Sequence, residues 1–164
     1  MADLEAINRV VESAVMTWRV SDRVKRLALP SYRYSGLDLT YLQLVVAENA
    51  ARRLTGAAAW ERAADKDAPP GRSALLLHGI YVDPAYHRCG IGRELLSAAE
   101  QAVHRHRHDG LLVKAQQDAS GFFVAQGMIP LPASDPLHQY DRRFWKDLTG
   151  VRHRRAQAIA ADGS

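Results

Sequence analysis

One stretch, residues 82–96 (VDPAYHRCGIGRELL), constrains the fold of this chain more than any other. Before it, Ala74–Val82 (ALLLHGIYV) is apolar enough for a buried strand, and Asp83-Pro84 ends that strand because proline cannot extend the hydrogen-bond ladder. After it, apolar residues recur every three or four positions, which is typical of a helix with one buried face. These residues are Ile91, Leu95, Leu96, Ala99 and Val103. The segment therefore predicts a strand, a glycine turn and a helix in succession.

The glycine turn places Gly90 and Gly92 at the amino terminus of the predicted helix. Free backbone N–H groups and the positive end of the helix dipole favour an anion there, and glycine lets a phosphate approach the main chain closely. A P-loop requires G-x-x-x-x-G-K-[ST], which this chain lacks, and a Rossmann fingerprint requires glycine or alanine where this chain has Leu95. The turn therefore predicts an anion-binding site that belongs neither to a P-loop nor to a Rossmann nucleotide-binding motif.

The turn resembles the acyl-CoA loop of the GNAT superfamily of N-acyltransferases, which has the pattern [RQ]-x-x-G-x-[GA] after a strand ending in V-x-P. The six corresponding positions are His87, Arg88, Cys89, Gly90, Ile91 and Gly92. His87 departs from the pattern, which has arginine or glutamine at that place. Because backbone amides do most of the binding in such a loop, the departure changes the prediction little.

A second segment is similar to another GNAT pattern, N-x-x-A-x-x-F-Y-x-x-x-G-F, and it follows the predicted strand Leu111–Ala115. The corresponding positions are Gln116, Ala119, Phe122, Phe123, Gly127 and Met128. The two patterns occur in the family's order. The resemblance implies a mixed α/β GNAT fold, with a central, mostly antiparallel twisted sheet of about six to seven strands flanked by about four helices.

The rest of the chain adds elements in an order that agrees with this fold. An amphipathic helix comes first, and a short second helix follows, which we expect Pro30 to end. A β-hairpin follows, and then a polar connection that we expect to be flexible. The predicted ranges are 3–19 and 22–30 for the helices, 40–48 and 54–60 for the hairpin, 64–72 for the connection, and 128–131 and 139–145 for the last two strands.

Length and composition predict a single cytoplasmic domain. The 164 residues suit one core, so we expect one GNAT domain over residues 1–148 and a basic tail over residues 149–164. No stretch approaches the roughly 20 apolar residues that cross a bilayer, and the first residues lack the apolar region of a signal peptide. The single cysteine, Cys89, fits a reducing compartment.

The net charge of +4 raises the question of nucleic-acid binding. The basic residues concentrate in 104–108, at the end of the predicted helix, and in 152–155, within the tail. Neither cluster is interleaved with aromatic residues, so we do not expect nucleic acid as a partner, although a basic adaptor remains an alternative. His104 and His108 are four apart, but no carboxylate or cysteine completes a metal site, so no metal is expected.

The resemblance implies an N-acetyltransferase that moves an acetyl group from acetyl-CoA, the co-substrate, to an amine on a small molecule or peptide. It implies direct attack of the amine on the thioester, within a ternary complex. It also implies contacts to the cofactor from the end of the strand before the loop, from the loop, and from the second motif. The implied cofactor-binding residues are Ile80, Tyr81, Val82, His87, Arg88, Cys89, Gly90, Ile91, Gly92, Arg93, Gln116, Ala119, Phe122 and Phe123.

The acceptor amine must lose a proton, so the chemistry requires a base. His78 is a candidate because it lies four residues before Val82, where many family members carry glutamate or histidine, and because imidazole titrates near neutral pH. A surface histidine held by a neighbouring side chain is the alternative interpretation. Glu48, at the end of the neighbouring strand, is a second candidate, and a solvated glutamate is its alternative.

Phe123 occupies the place where the family commonly has a tyrosine that protonates the departing CoA thiolate. Water, Ser120, Tyr81 or Tyr140 could supply that proton. The substitution also leaves open a non-catalytic acyl-CoA-binding or sensing module with the same fold. Aromatic and basic residues near the predicted acceptor side suggest a small aromatic or carboxylate-bearing amine, with packing of these aromatic residues as the alternative interpretation. These residues are Trp18, Tyr32, Arg33, Tyr34, Tyr41, His138, Tyr140 and Trp145. A homodimer is possible.

Overall fold

The computed structural model describes residues 4–132 and 142–150, and these ranges form a mixed α/β structure. Its helices are α1 (Leu4–Val15), α2 (Asp22–Tyr32), α3 (Ile91–Arg105) and α4 (Ser120–Ala125). Its strands are β1 (Gln43–Glu48), β2 (Leu54–Arg62), β3 (Ala74–Val82), β4 (Gly110–Lys114), β5 (Ile129–Leu131) and β6 (Arg143–Asp147). Single 3-10 turns cover Asp38–Thr40, Pro84–Tyr86 and Gln117–Ala119.

The strands form one sheet in the order β1-β2-β3-β4-β6-β5. The pairs β1-β2, β4-β6 and β5-β6 are antiparallel. The predicted fold class, a mostly antiparallel sheet with about four helices, is therefore confirmed. The hairpin is confirmed as well, with Gln43 opposite Trp60 at its open end and Glu48 opposite Leu54 beside the turn.

The chain divides into two compact units, and β3 contributes to both. The first comprises the described residues of Met1–Glu61 and Leu77–Ala98. Its core is the apolar face of α1 packed against small side chains of β2 and the ring of Tyr81. Alanine at positions 57 and 59 leaves room for the helix to approach the strand closely, and both residues are fully buried.

The second unit comprises the described residues of Arg62–Leu76 and Ala99–Ser164. Leu112 and Trp145 form its core with Ala63 and Ala74. Gly110 is required beside them, because a Cβ at that position would overlap the backbone oxygen of Lys146 and the Trp145 ring.

The connection before β3 is fixed by hydrogen bonds, contrary to the flexibility expected from its sequence. Lys114 Nζ lies 3.2 Å from Asp67 Oδ2, and Arg143 donates to the carbonyls of Asp67 and Pro132 at 3.0 and 3.2 Å. Buried or half-buried cations thus fasten a segment whose prolines and charges are typical of a loose loop.

Several predicted boundaries differ from the structure. Helix α1 ends at Val15 and not at residue 19, because the N–H groups of Thr17 and Trp18 bond to carbonyls only three residues back. Helix α2 continues past Pro30 to Tyr32, because proline removes one N–H donor while the Arg33 N–H still reaches Leu29 O at 3.2 Å. Strand β1 begins at Gln43, since the 3-10 turn at Asp38–Thr40 occupies the residues before it.

Among the described residues, the last strand is Arg143–Asp147, whereas the sequence predicts 139–145. Positions 139–141 of the last predicted strand lie outside the described residues, as does most of the predicted tail. The single domain over 1–148 stays a prediction.

Within the described ranges, no helix is both long and apolar enough to span a bilayer.

Candidate active site

The glycine loop is held by Asp83, the first residue after β3. Its backbone N–H donates to Thr55 O on β2 at 2.9 Å, and its carboxylate accepts from the Ala85 N–H at 3.0 Å. Arg53 pairs with the same carboxylate at 3.2 Å. Strand β2 and the hairpin turn therefore fix the place where the chain leaves β3 and enters the loop.

The loop turns into α3 through two residues with positive φ. Arg88 has φ 61° and Gly90 has φ 84°. The Gly90 carbonyl accepts the first helical hydrogen bond, from the Glu94 N–H at 3.1 Å. Glycine suits this position because a side chain in the left-handed region costs free energy, whereas Arg88 adopts a similar φ with a full side chain.

Six consecutive backbone N–H groups at the start of α3 are available to a ligand. In the described part of the chain, no acceptor is found for the N–H groups of Arg88–Arg93. An isolated helix leaves four such groups, and here the loop adds to them at the positive end of the helix dipole. The predicted anion site therefore has the donors that a phosphate requires.

His87 and Cys89 flank these donors without closing the loop over them. His87 Nε2 lies 3.2 Å from Val82 O, so the ring caps the last carbonyl of β3. The Cys89 thiol is exposed and lies 3.6 Å from the His87 carbonyl oxygen. Histidine thus has a local structural role at the position where the loop pattern has arginine or glutamine.

Between two hydrogen bonds that join β2 and β3, the β3 side contains one more residue than the β2 side. Thr55 O accepts from the Asp83 N–H, and Ala74 O accepts from the Ala63 N–H. Nine residue steps along β3 separate these bonds, against eight along β2, so β3 contains a β-bulge. Gly79 lies in this stretch, where a Cβ would come within 2.8 Å of the Tyr81 ring.

The imidazole of His78 is hydrogen-bonded to a carboxylate that the sequence did not identify. His78 Nε2 lies 2.8 Å from Glu61 Oε1, and the two side chains are 35% and 33% exposed. Both groups are therefore partly open to solvent and available to a substrate. The predicted strand ends at Trp60, one residue before Glu61, so this neighbour of His78 was missed.

A second polar group lies just before β1. Asp38 accepts hydrogen bonds from Ser35 Oγ at 2.6 Å and from Tyr41 Oη at 2.7 Å. These bonds, Ser35 first, hold the pKa of the Asp38 carboxyl below its usual range, and His78 adds a smaller electrostatic effect in the same direction. The hydrogen bond to Asp38 raises the pKa of Tyr41, and the charge of Glu61 contributes to that rise. Asp38 and Tyr41 therefore share the electrostatic environment of His78.

Glu48, the other candidate base, is placed elsewhere. It lies beside the hairpin turn and pairs with Arg52 at 3.3 Å. Glu61 lies beyond the other end of the paired residues, next to Trp60. The seven residue steps from Leu54 to Glu61 span about 23 Å of strand. The structure thus brings His78 together with Glu61 and leaves Glu48 at the far end of the hairpin.

Tyr81 is buried in the core of the first unit and is only 6% exposed. Its ring meets that of Tyr34 edge-to-face, with centroids 6.4 Å apart. Burial, the largest cause, and neighbouring tyrosines raise the pKa of Tyr81 far above its usual value. A phenol in this state is a poor proton donor to a thiolate, although the Tyr81 backbone remains near the loop.

In the second unit, the Gln116–Phe123 segment begins with a 3-10 turn and continues into α4. Ser120 Oγ donates to Gln116 O at 3.4 Å. Phe123 is 4% exposed and stacks on Phe144 with centroids 6.1 Å apart, while Phe122 is half-buried. Phe123 therefore fills the core, and Phe122 is the more accessible ring.

Part of the predicted acceptor set has structural partners. Trp18 and Tyr32 contact each other edge-to-face, with centroids 4.9 Å apart. Arg33 pairs with Glu12 at 3.2 Å, and Trp145 is 5% exposed in the core of the second unit. Tyr41 is 52% exposed and lies beside Asp38. Positions 138 and 140 lie outside the described residues.

Comparison with known proteins identifies the family. A family model described as the acetyltransferase (GNAT) domain matches residues 40–127, which is more than half of the chain. The chain belongs to the GNAT acetyltransferase family. This GNAT protein is accordingly an acyltransferase, and the matched range contains both the glycine loop and the Gln116–Phe123 segment. A comparison with curated proteins finds no match.

Solved structures resemble this GNAT chain in fold. The PaiA N-acetyltransferase from Thermoplasma acidophilum, in complex with coenzyme A, has a TM-score of 0.68 and 18% identity over 88% of this chain and 92% of that one. A GNAT acetyltransferase from Brucella melitensis, in complex with acetyl-CoA, has a TM-score of 0.60 and 18% identity over 89% of this chain and 82% of that one. AtaT, complexed with acetyl-methionyl-tRNAfMet, has a TM-score of 0.57 and 14% identity over 86% of this chain and 91% of that one.

Proposed function

We propose that this GNAT enzyme transfers an acetyl group from acetyl-CoA to an amine by direct attack in a ternary complex. The observation that carries the proposal is a run of six backbone N–H groups at Arg88–Arg93 that have no acceptor among the described residues. The run lies on the loop that directly follows the strand bearing His78. Such donors match the pyrophosphate of CoA. The complexes of two structural neighbours with coenzyme A and acetyl-CoA support the same co-substrate.

In this proposal the cofactor is held mainly by backbone atoms. The loop from His87 to Arg93 receives the pyrophosphate, and the main chain of Ile80–Val82 contacts the arm that carries the thioester. The resemblance of the second motif to its GNAT counterpart supports a role in cofactor binding for Gln116, Ala119, Phe122 and Phe123 as well. Because Phe123 also packs against Phe144, its contribution is a fixed apolar surface.

Deprotonation of the acceptor is the step that most requires a side chain. An aliphatic amine with a pKa near 10.4 is mostly ammonium at pH 7, and its neutral form costs about 4.6 kcal/mol. We assign the base to His78, which is partly exposed and oriented by Glu61. Glu48 is the weaker choice, since its carboxylate is paired with Arg52.

The acetyl transfer itself forms one bond and breaks another. The amine nitrogen attacks the thioester carbon, a C–N bond forms, and a backbone N–H near the end of β3 stabilises the developing oxyanion. The nitrogen of this intermediate loses its second proton to solvent, the C–S bond breaks, and CoA leaves as the thiolate. The thiolate takes a proton from water, or from Ser120, which regains one from solvent. A thiol with a pKa near 8.5 is a tolerable leaving group, so the absence of a hydroxyl at Phe123 is compatible with turnover.

The acceptor is an amine on a small molecule or peptide. Asp38 and Tyr41 lie in the electrostatic environment of His78 and are positioned to affect its recognition. The AtaT complex adds aminoacyl-tRNA to the acceptors worth testing. A cytoplasmic location and a possible homodimer are part of the same proposal.

The test combines calorimetric titration with acetyl-CoA and a thiol-release assay over diamines, amino acids, peptides and aminoacyl-tRNA. We expect micromolar binding and thiol release with at least one acceptor. Binding without release on any acceptor would instead favour the sensing module. No binding would contradict the assignment of the loop.

A further inference from the structure

The closest side-chain partner of His78 is the carboxylate of Glu61, 2.8 Å from Nε2. We propose that Glu61 is a positioning residue that keeps the imidazole hydrogen on Nε2, so that Nδ1 is the atom that accepts the proton of the acceptor amine. This inference rests on the proposed function, in which His78 is the base.

The tautomer follows from the chemistry of the two groups. An ionised carboxylate only accepts hydrogen bonds, so Nε2 of His78 must carry the hydrogen that it shares with Glu61. A neutral imidazole carries one hydrogen, which leaves the lone pair on Nδ1. The second nitrogen is therefore set as an acceptor before any substrate binds.

The position of Nδ1 agrees with this role. Among the residues that the structure describes, none hydrogen-bonds Nδ1 of His78. The side chain is 35% exposed, so a substrate nitrogen can reach the ring. The nitrogen facing Glu61 is occupied, which leaves Nδ1 as the available base.

Two carboxylates interact with His78, Glu61 through a hydrogen bond and Asp38 through its charge. Glu61 does so from the end of β2, and Asp38 from the turn before β1. When Nδ1 takes the ammonium proton, the bond from Nε2–H to Glu61 becomes a charge-assisted hydrogen bond. The neutral amine then forms the C–N bond, its nitrogen loses a second proton to solvent, the C–S bond breaks, and the ring returns its own proton to solvent.

Glu61 lies on a rigid element, as a positioning residue should. It follows Trp60, whose Nε1 donates to Gln43 Oε1 at 2.9 Å across the hairpin. Trp60 is 2% exposed, so the end of β2 is anchored by packing as well as by the strand pairing. The backbone that carries Glu61 is therefore anchored next to the point where its carboxylate meets the ring.

The first experiment reads the tautomer directly, by long-range nitrogen–proton NMR of the uniformly labelled protein. The His78 signals are assigned by their loss in His78→Gln. We expect neutral His78 in the parent to carry its hydrogen on Nε2 nearly completely. Glu61→Gln should keep this tautomer, since its amide oxygen accepts the same hydrogen bond, and Glu61→Ala should give a mixture. A hydrogen on Nδ1 in the parent, or no change in Glu61→Ala, would overturn the proposal.

The second experiment is steady-state kinetics with the best acceptor. We expect Glu61→Ala to lower kcat by about tenfold or more while the Kd for acetyl-CoA stays within twofold, and Glu61→Gln to recover much of the loss. Glu5→Gln is the matched control, since that carboxylate pairs with Arg9 at 3.7 Å and is 77% exposed. Equal kcat for the parent and Glu61→Ala would overturn the proposal.

The two readouts separate this inference from the proposed function. If the parent acetylates no amine, the proposed function fails, while the NMR spectrum still decides whether Glu61 sets the tautomer. If the parent is active and the Glu61 variants match it in both readouts, the function stands and the positioning role is wrong.

Discussion

Asn8 on α1 and Tyr34 in the segment after α2 are joined by two hydrogen bonds. Asn8 Nδ2 donates to Tyr34 O at 2.8 Å, and the Tyr34 N–H donates to Asn8 Oδ1 at 2.8 Å. Both residues are buried, at 5% and 8% exposed. One amide side chain thus satisfies both backbone groups of Tyr34, and it anchors the start of the segment that leads to Asp38 and β1.

Replacing Asn8 by alanine should therefore destabilise the fold. Two buried backbone groups of Tyr34 would lose their partners, and we expect the free energy of unfolding to fall by about 2–4 kcal/mol. Urea denaturation measures the change. Ser13→Ala is the control, because Ser13 is exposed on the same helix and should change stability by less than about 0.5 kcal/mol. An equal loss of unfolding free energy in both variants would contradict the stabilising role of the Asn8 hydrogen bonds.

The glycine loop allows a test of cofactor binding with a matched control. Gly90 and Gly71 both have positive φ, 84° and 72°, and among the described residues no atom lies within 4 Å of a Cβ built at either position. Alanine therefore imposes a similar backbone cost at both. We expect Gly90→Ala to raise the Kd for acetyl-CoA at least about tenfold and Gly71→Ala to leave it unchanged, by calorimetry.

Gly92→Leu extends this test within the first turn of α3. A bulky side chain beside free N–H groups should also raise the Kd for acetyl-CoA about tenfold or more, because it obstructs the approach of the phosphates. Unchanged affinity in both Gly90→Ala and Gly92→Leu would mean that the pyrophosphate binds elsewhere.

The strand, the loop and α3 could be predicted from the sequence because each carries a local signal. Pro84 ends the strand, glycine marks the turn, and apolar spacing marks the buried face of the helix. The prediction for α3 holds in detail, with Leu95 and Leu96 buried and Arg93 exposed. Local chemistry of this kind does not depend on distant residues, so one sequence is enough.

The partners of the candidate base could not be predicted in the same way. Glu61 meets His78 only after two strands pair, and the extra residue of the β3 bulge has no local signature. Asn8 lies on the apolar face of α1, where its pattern position predicts only burial. Its partner, Tyr34, is 26 residues away along the chain. These contacts depend on tertiary packing, which spacing alone does not encode.

Removing the imidazole of His78 should affect turnover and not cofactor binding. We expect His78→Ala to lower kcat by about a hundredfold, as for the loss of a general base, while the Kd for acetyl-CoA stays within twofold. His104→Gln is the control, since His104 lies in the last turn of α3. We expect this variant to be as active as the parent. Parent-like kcat in His78→Ala would exclude His78 as the base.

Phe123→Tyr tests whether a missing acid limits the reaction. Because Phe123 is 4% exposed and stacked on Phe144, a new hydroxyl would be buried, and we expect stability to fall by about 1–2 kcal/mol. If thiolate departure does not limit turnover, kcat should change by less than about twofold. Phe122→Tyr, at a half-buried ring, is the control. A tenfold rise in kcat for Phe123→Tyr would show that protonation of the thiolate is limiting.

The ionised carboxylate of Asp38 should stabilise the fold, and the difference in stability between the parent and Asp38→Asn should depend on pH. Its hydrogen bonds from Ser35 and Tyr41 hold its folded-state pKa below the value of about 3.9 for an unfolded aspartate. The stabilisation is therefore present above that unfolded value and is lost as pH falls through the folded-state pKa. Asp38→Asn should be less stable than the parent at pH 7, and the difference should shrink towards zero in acid.

Urea denaturation of both proteins at neutral and acidic pH measures this difference, and the phenol titration of Tyr41 provides a second readout. Without the Asp38 charge, Tyr41 should titrate at lower pH than in the parent, because its hydrogen bond to Asp38 is the largest cause of its raised pKa. Asp65→Asn is the control, since Asp65 is 89% exposed and pairs with Arg62 at 3.6 Å. A stability difference that persists unchanged in acid would show that Asp38 acts through packing and not through its charge.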